Sequence, residues 1–449
     1  MALIRAAWAT LFCSFAVLAT PGSTQEFALA NGLRVIVQED HRAPVVAIQV
    51  WYQVGASYEL DGATGQSHAL EHMMFKRTKT LKSGEFSRIV ADRGGRENAF
   101  TSADYTTYFQ TWSADQTELS MRLESDRMQN LVLDPAEFKN ELKVIQEERR
   151  LRTDDSAQAL ALETVLAHTW QTSPYRQPVI GWPADLAQMQ LPDLAAWYHR
   201  YYAPNNAILV VVGDVEVARI KQLATRYFGP IPRREVLPPK ARPELPQRGE
   251  KRLIIASDKL RIPLLMLNYK VPGFTAVGHG QPATESWEIY ALDVLLATLD
   301  GGDSARFARH LVRGQELALS AGASYQSASR LEDLFSFTGA PREGHTLPEL
   351  EAAIKAEIAA LQASPPDSAE LARIKIAVVA QEVYQQDSLM GQAMLIGSLA
   401  VVGLDWRIKE SYAERIQAVT PGQVQAVAKK YFQSDQATIA YVIPEQKHE

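Results

Sequence analysis

"LPDLAAWYHRYYAPNNAILVVVG", residues 191–213, runs with helical spacing, breaks at Pro204-Asn205-Asn206 and ends in a β-branched run. That pattern reads as a helix, a turn and a strand. Near the other end of the chain, "PGQVQAVAKKYFQSDQATIAYVIP", residues 421–444, follows the same plan. Laid 230 positions apart, Tyr201-Tyr202 falls on Tyr431-Phe432, and Ala207–Val212 falls on Ala437–Val442. One helix–turn–strand unit therefore closes each of two halves.

The openings of the halves also match. "LRVIVQEDHRAPVVAIQVWYQV", residues 33–54, alternates and is rich in β-branched residues, predicting two strands joined through a turn near Arg42-Ala43-Pro44. "RLIIASDKLRIPLLMLNYKV", residues 252–271, restarts the same pattern. Between them, "RREVLPPKARPELPQRGEKR", residues 233–252, holds four prolines and many charges and reads as a linker. A chain of 449 residues is too long for one hydrophobic core. The expectation is an α+β protein of two homologous domains, each a mostly antiparallel sheet with helices packed on it. The boundaries are a signal peptide at 1–24, an N-terminal domain at 25–235, a Pro-rich linker at 236–250 and a C-terminal domain at 251–449. Two such halves can face each other and enclose a space.

Composition excludes several classes. With 46 basic against 52 acidic residues, and no Lys/Arg tract, no nucleic-acid partner is expected. The start, "MALIRAAWATLFCSFAVLATPGSTQEF", has one early Arg, an apolar run too short to span a bilayer, and then small residues and Pro21. This reads as a secretory signal, so the protein is expected to be exported, and periplasmic if its source is a Gram-negative bacterium. No membrane span is expected after signal cleavage. Cys13, the only cysteine, lies inside that run. The mature chain then has no thiolate, and a metal site must use His, Asp or Glu.

"SHALEHMMF", residues 67–75, offers such a site. His68 and His72 stand four apart, on one face of a helix, about 5–6 Å apart at Cβ. Glu71 lies about 100° from His72 on the same helix and can point into the same space. Two imidazoles with a carboxylate to take a proton from water is the chemistry of a zinc hydrolase, in inverted His-x-x-Glu-His order. A catalytic zinc needs a third protein ligand. Residues 134–155, "DPAEFKNELKVIQEERRLRTDD", predict a helix with Asp134 as N-cap and Pro135 at its first position. With Phe138, Leu142 and Ile145 defining the buried side, Glu141 and Glu148 fall at its edge, at about 300° and 280°, and Glu147 at about 180°, toward solvent. Helix geometry prefers Glu148 or Glu141 as ligand and disfavours Glu147.

His-x-x-Glu-His followed by a glutamate-bearing "E-x-x-V-I-x-E-E"-like helix resembles the insulinase/pitrilysin family of zinc metallopeptidases, over nearly the whole mature chain. The resemblance implies one Zn²⁺ per chain on His68, His72 and Glu148, which stands 76 positions past His72. It also implies Glu71 as general base and Glu141 as a glutamate supporting a ligand. "DRGGRENAFTSADYTTY", residues 92–108, resembles the family's Gly-Gly-x-x-Asn-Ala-x-Thr stretch, an edge strand that pairs with an extended substrate backbone. Asn98, Ala99 and Thr101 would lie nearest the scissile bond, and Phe75 would line the pocket beside it. "GWPADL", residues 181–186, also matches and reads as structural. The implied activity is a metalloendopeptidase acting on peptides or unfolded polypeptide segments.

The second half departs from the pattern. In relatives it carries an Arg and a Tyr that reach the bound peptide from across the chamber. In "LVRGQELALSAGASY", residues 311–325, Arg313 is present, but Leu319 or Ser320 stands where the Tyr would be. The resemblance therefore implies a heterodimer with a homologous subunit that lacks the zinc motif, the alternative being a homodimer. Non-catalytic structural subunits of the same fold have degenerate metal motifs, whereas this one is intact. Zinc-storage proteins show His-rich runs, which a chain with nine scattered histidines lacks.

Overall fold

The computed structural model describes residues 24–240, 242–278 and 284–445. The expected signal segment lies outside the described residues, apart from Thr24. That residue begins β1 (Thr24–Ala28). The first half continues with β2 (Arg34–Glu39), β3 (Val45–Tyr52), β4 (Arg96–Thr101), β5 (Thr106–Ser113) and β6 (Ala207–Gly213). These form one six-stranded sheet in the order β1-β2-β6-β3-β5-β4. The second half supplies β7 (Lys251–Ser257), β8 (Leu264–Val271), β9 (Ala318–Ser324), β10 (Asp333–Pro341) and β11 (Thr438–Pro444), in the order β7-β11-β8-β10-β9.

The two sheets have the same topology. In each, the first and last strands of the shared plan pair in parallel (β2 with β6, β7 with β11), and the other pairings are antiparallel. The repeat extends to register: Ile208 lies opposite Arg34, and Thr438, 230 residues on, lies opposite Lys251. The strands anticipated in residues 33–54 form, but they do not pair with each other. β6 slots between β2 and β3, so the turn at Arg42-Ala43-Pro44 spans a strand that arrives about 160 residues later. A strand's partner is a tertiary choice that alternation cannot reveal.

The central strands of each sheet are buried on both faces. One face of the first sheet, including Val35, Val37, Ile48, Val50 and Val211, packs on helices of its own half. The other face, with Ile36, Ala47, Trp51, Ile208, Val210 and Val212, is covered by Ala393, Ile396 and Ala400 of the helix Leu389–Val401, which belongs to the second half. Conversely, Ala161 and Val165 of the helix Ala157–Thr169, from the first half, pack on Met266, Ala440 and Val442 of the second sheet. The two covering helices begin 232 residues apart, close to the repeat distance. Each half thus lends the equivalent helix to the other's sheet.

Between Tyr227 and Lys251 the described chain has no helix or strand. The segment is nonetheless tied to both halves. Glu244 accepts the backbone N–H groups of Gln171, Thr172 and Ser173 and the Lys270 ammonium. Arg242 donates to the carbonyls of Ser57 and Glu59. No described helix is long and apolar enough to cross a membrane.

Gly397 marks the tightest point of the exchange: a Cβ there would sit 2.1 Å from the Trp51 ring. Glycine inside a helix ordinarily costs about 1 kcal/mol relative to alanine. Here the sign should reverse. Gly397→Ala is expected to destabilise by about 1–3 kcal/mol through overpacking, read as a fall in melting temperature. A rise would mean that the helix can shift off the sheet at no cost.

Candidate metal centre

The motif helix is Gln66–Met73. Its start is fixed by groups outside the helix, some near in sequence and some remote. Gly65 at the N-cap has φ +87°, and a Cβ there would meet the Ile180 carbonyl at 2.8 Å. Gly181 opposes it with φ +91°, and its own Cβ would come within 2.7 Å of Gly65 Cα. Only glycine adopts this conformation without strain and allows two backbones so close. Glu59, fully buried, accepts the N–H groups of Gly65 and Ser67, each at 2.7 Å, so the free donors of the first turn meet a carboxyl group. Thr64 donates to Asp185 at 2.6 Å and accepts from the Trp182 N–H. The "GWPADL" stretch therefore buttresses the entry to the motif helix.

The second contributing helix is Pro135–Arg149, with the Asp134 side chain accepting from Ala136 and Glu137 N–H at its N-terminus, as the sequence pattern predicts. It runs into a wider π-type turn at Arg150–Asp154, a form that recurs at functional sites. The two helices meet so that one ligand atom from each of His68, His72 and Glu148 lies within 4.8 Å of the others. His72 Nε2 is 3.2 Å and His68 Nε2 is 3.7 Å from Glu148 Oε2. A tetrahedral zinc with ligands at about 2.0–2.1 Å separates its donor atoms by roughly 3.3 Å, so these spacings suit the ion.

The surrounding hydrogen bonds orient the donors. His72 Nδ1 bonds Glu141 Oε1 at 2.9 Å, which turns Nε2 toward the cluster. The other oxygen of Glu141 meets Lys76 Nζ at 2.5 Å. Arg152 binds the outer oxygen of Glu148 at 2.7 Å. Burial, with help from the neighbouring His72 and Arg152 charges, pulls the His68 pKa down to about 3, so the imidazole is neutral, the form that binds metals. Burial opposes the charge on Glu141 as well, but the bonds from His72 and Lys76 outweigh it and hold its pKa below the usual carboxylate value. Glu71 accepts the Thr101 hydroxyl at 2.6 Å, and burial pushes its pKa up despite that bond. A raised carboxyl pKa suits a general base.

All these groups line one cleft of about 730 Å³. Phe75, Asn98, Ala99 and Thr101 line it too. β4, which carries the last three, is an edge strand with no partner on its outer side among the described residues. Phe75 packs beside the guanidinium of Arg127, 5.5 Å from the ring centroid, while Arg127 forms a fully buried ion pair with Glu124. Arg313 is not among the residues lining the cleft. It is exposed, and its guanidinium donates to the Asp303 carbonyl.

Sequence reasoning passed over Lys76, Arg152 and Glu59. The first two had a signal, since Lys76 stands four residues after His72 and Arg152 four after Glu148, the spacing of neighbours on a helix. Glu59 had none: it stands six residues before Gly65, in a loop whose course no periodicity reveals.

The chain matches known proteins along most of its length. The profile described as "Insulinase (Peptidase family M16)" covers residues 34–182, and that described as "Peptidase M16 inactive domain" covers residues 188–378. The chain is 30% identical over 423 residues to a protein named "Zinc protease PqqE" from Helicobacter pylori, spanning 94% of this chain and 93% of that one. A solved protease structure from Helicobacter pylori aligns with TM-score 0.87 and 30% identity, over 94% of this chain and 100% of the other. The periplasmic protease PqqL from Escherichia coli aligns with TM-score 0.78 and 18% identity, over 94% of this chain but 47% of its own; at that identity the likeness is one of fold.

The glycine pair makes a specific prediction. Gly181→Ala adds a Cβ where none fits, at a positive φ, and should displace the start of the motif helix. Expected are a lower melting temperature and a lower zinc content after dialysis, measured on the same sample. Unchanged metal content would show that the two imidazoles do not depend on this contact.

Proposed function

From a chain that belongs to the insulinase family, peptidase M16, and that gathers His68, His72 and Glu148 around one point, we propose a zinc-dependent endopeptidase acting on peptides or unfolded polypeptide segments. The observation that carries this reading is the convergence of three ligand atoms within 4.8 Å, with the Glu71 carboxyl presented from the same helix into the same cleft. Nε2 of His68, Nε2 of His72 and a carboxylate oxygen of Glu148 would hold one zinc ion, which when bound acidifies a water and polarises a peptide carbonyl. Glu71 takes the proton from the attacking water and delivers it to the leaving amine nitrogen. Thr101 steadies Glu71 until then. Glu141 fixes the His72 ring, and Lys76 holds Glu141 in place. The free edge of β4 offers backbone hydrogen bonds to an extended peptide, with Asn98 and Ala99 alongside and Phe75 in the cleft wall. A folded domain has no free extended segment to pair with that edge.

The working form we propose is a heterodimer with a homologous chain lacking His-x-x-Glu-His. Two observations support it. Arg313, the one second-half residue assigned to peptide binding, lies outside the cleft. Leu319 or Ser320 stands where the resemblance places a Tyr. The N-terminal segment supports export, with the periplasm as destination in a Gram-negative source.

The test is cleavage of a long unstructured peptide by the purified mature chain, with bound zinc quantified in the same sample. Glu71→Gln is expected to retain zinc and lose turnover by at least about 100-fold, whereas His68→Ala should lose both. Normal cleavage by Glu71→Gln would overturn its assignment as base. The partner is tested separately. Zinc-loaded but inactive chain that gains activity with the homologous subunit supports the heterodimer, and an active homodimer by light scattering counts against it.

A further inference from the structure

Glu148 sits one residue before the end of its α-helix, where the chain passes into the π-type turn Arg150–Asp154. The residue that anchors this end is Arg149, whose side chain is only 4% exposed. Its Nη1 donates to Glu163 Oε2 at 2.8 Å and to the Gly181 carbonyl at 2.9 Å, and its Nη2 donates to Glu163 Oε1 at 2.8 Å. Asp154 adds a longer contact at 3.3 Å, and Nε has no hydrogen-bond partner among the described residues.

Two of these partners, Gly181 and Glu163, adjoin the metal site. Gly181 abuts Gly65, the residue from which the motif helix and both its imidazoles begin. Glu163 lines the same cleft as Glu148, and both its oxygens are engaged by the one guanidinium. Its helix, Ala157–Thr169, is packed on the second sheet through Ala161 and Val165. One planar fork therefore joins the end of the glutamate helix, the wall of the cleft and the start of the motif helix. Lysine cannot reproduce this, being a point charge without the paired, fixed donors.

We infer that Arg149 and Glu163 form a positioning pair that holds Glu148 at ligand distance from His68 and His72. Arg149 does not touch the site itself; it acts through the backbone on either side of it. The inference rests on the proposal that the three residues bind zinc. A buried charge pair costs stability to break wherever it stands, so stability alone does not test the role.

The test compares wild type, Arg149→Met, Arg149→Lys and Glu163→Gln. Zinc affinity is measured by competition with a chromogenic chelator, the visible spectrum of the cobalt(II)-loaded protein is recorded, and folding is followed by circular dichroism. Arg149→Met is expected to stay folded, to bind zinc about tenfold more weakly or worse, and to show an altered cobalt spectrum. Arg149→Lys should lie between it and wild type, and Glu163→Gln should shift in the same direction as Arg149→Met. Should Arg149→Met fail to fold, the other two variants decide. Unchanged affinity and cobalt spectrum, with only a lower melting temperature, would overturn the positioning role and leave the zinc site standing. A wild-type chain that binds no zinc would overturn the metal reading, and this inference with it.

Discussion

Everything in this molecule is built on the exchange of one helix between two copies of the same sheet. A sheet with apolar side chains on both faces must be covered on both. The helices of each half cover one face. The other is covered only because Leu389–Val401 crosses to the first sheet and Ala157–Thr169 crosses to the second. Trp51 lying directly against Gly397 shows how closely the first of these contacts is fitted. The halves cannot separate without exposing the cores represented by Ile208 and Val210 on one side and Met266 and Ala440 on the other.

The exchange also bears on the chemistry. Ala157–Thr169 is a lent helix and a wall of the cleft at once: Ala161 and Val165 face the second sheet, while Leu162, Glu163 and Leu166 face the cleft. The half without a metal motif thereby supports the half that has one. Around the cluster, charge is organised in short chains: Lys76 to Glu141 to His72, Arg152 to Glu148, Thr101 to Glu71. Each uses the oxygen or nitrogen that the proposed zinc or proton transfer leaves free. Burial then keeps His68 neutral and raises the pKa of Glu71.

Much of this was legible in the chain because it is local. The helix–turn–strand units at 191–213 and 421–444, the Asp134 cap and the i, i+4 histidines follow from spacing alone. The choice of Glu148 over Glu141 was not. Both lie at the same edge of the helix, seven residues apart, and only the resemblance to a family distinguished them. In the fold, Glu148 faces Nε2 of both histidines while Glu141 meets Nδ1 of His72. Arg313, which the resemblance alone implied, donates to the Asp303 carbonyl in the second half.

By itself, the sequence determined the duplication, the sheet-and-helix content of each half and the types of side chain available for a metal, since these depend on periodicity and residue chemistry read directly along the chain. The tertiary structure decided the rest. It inserted β6 between two strands joined by a turn, opposed Gly65 to Gly181 across more than a hundred residues, and gave Glu59 to the start of the motif helix. It also set Arg149 between Glu163 and Gly181. The physical reason is common to all four. Backbone pairing, close approach and buried charge are satisfied by whatever the folded chain brings near, and no periodicity encodes which segment, near or far, that is.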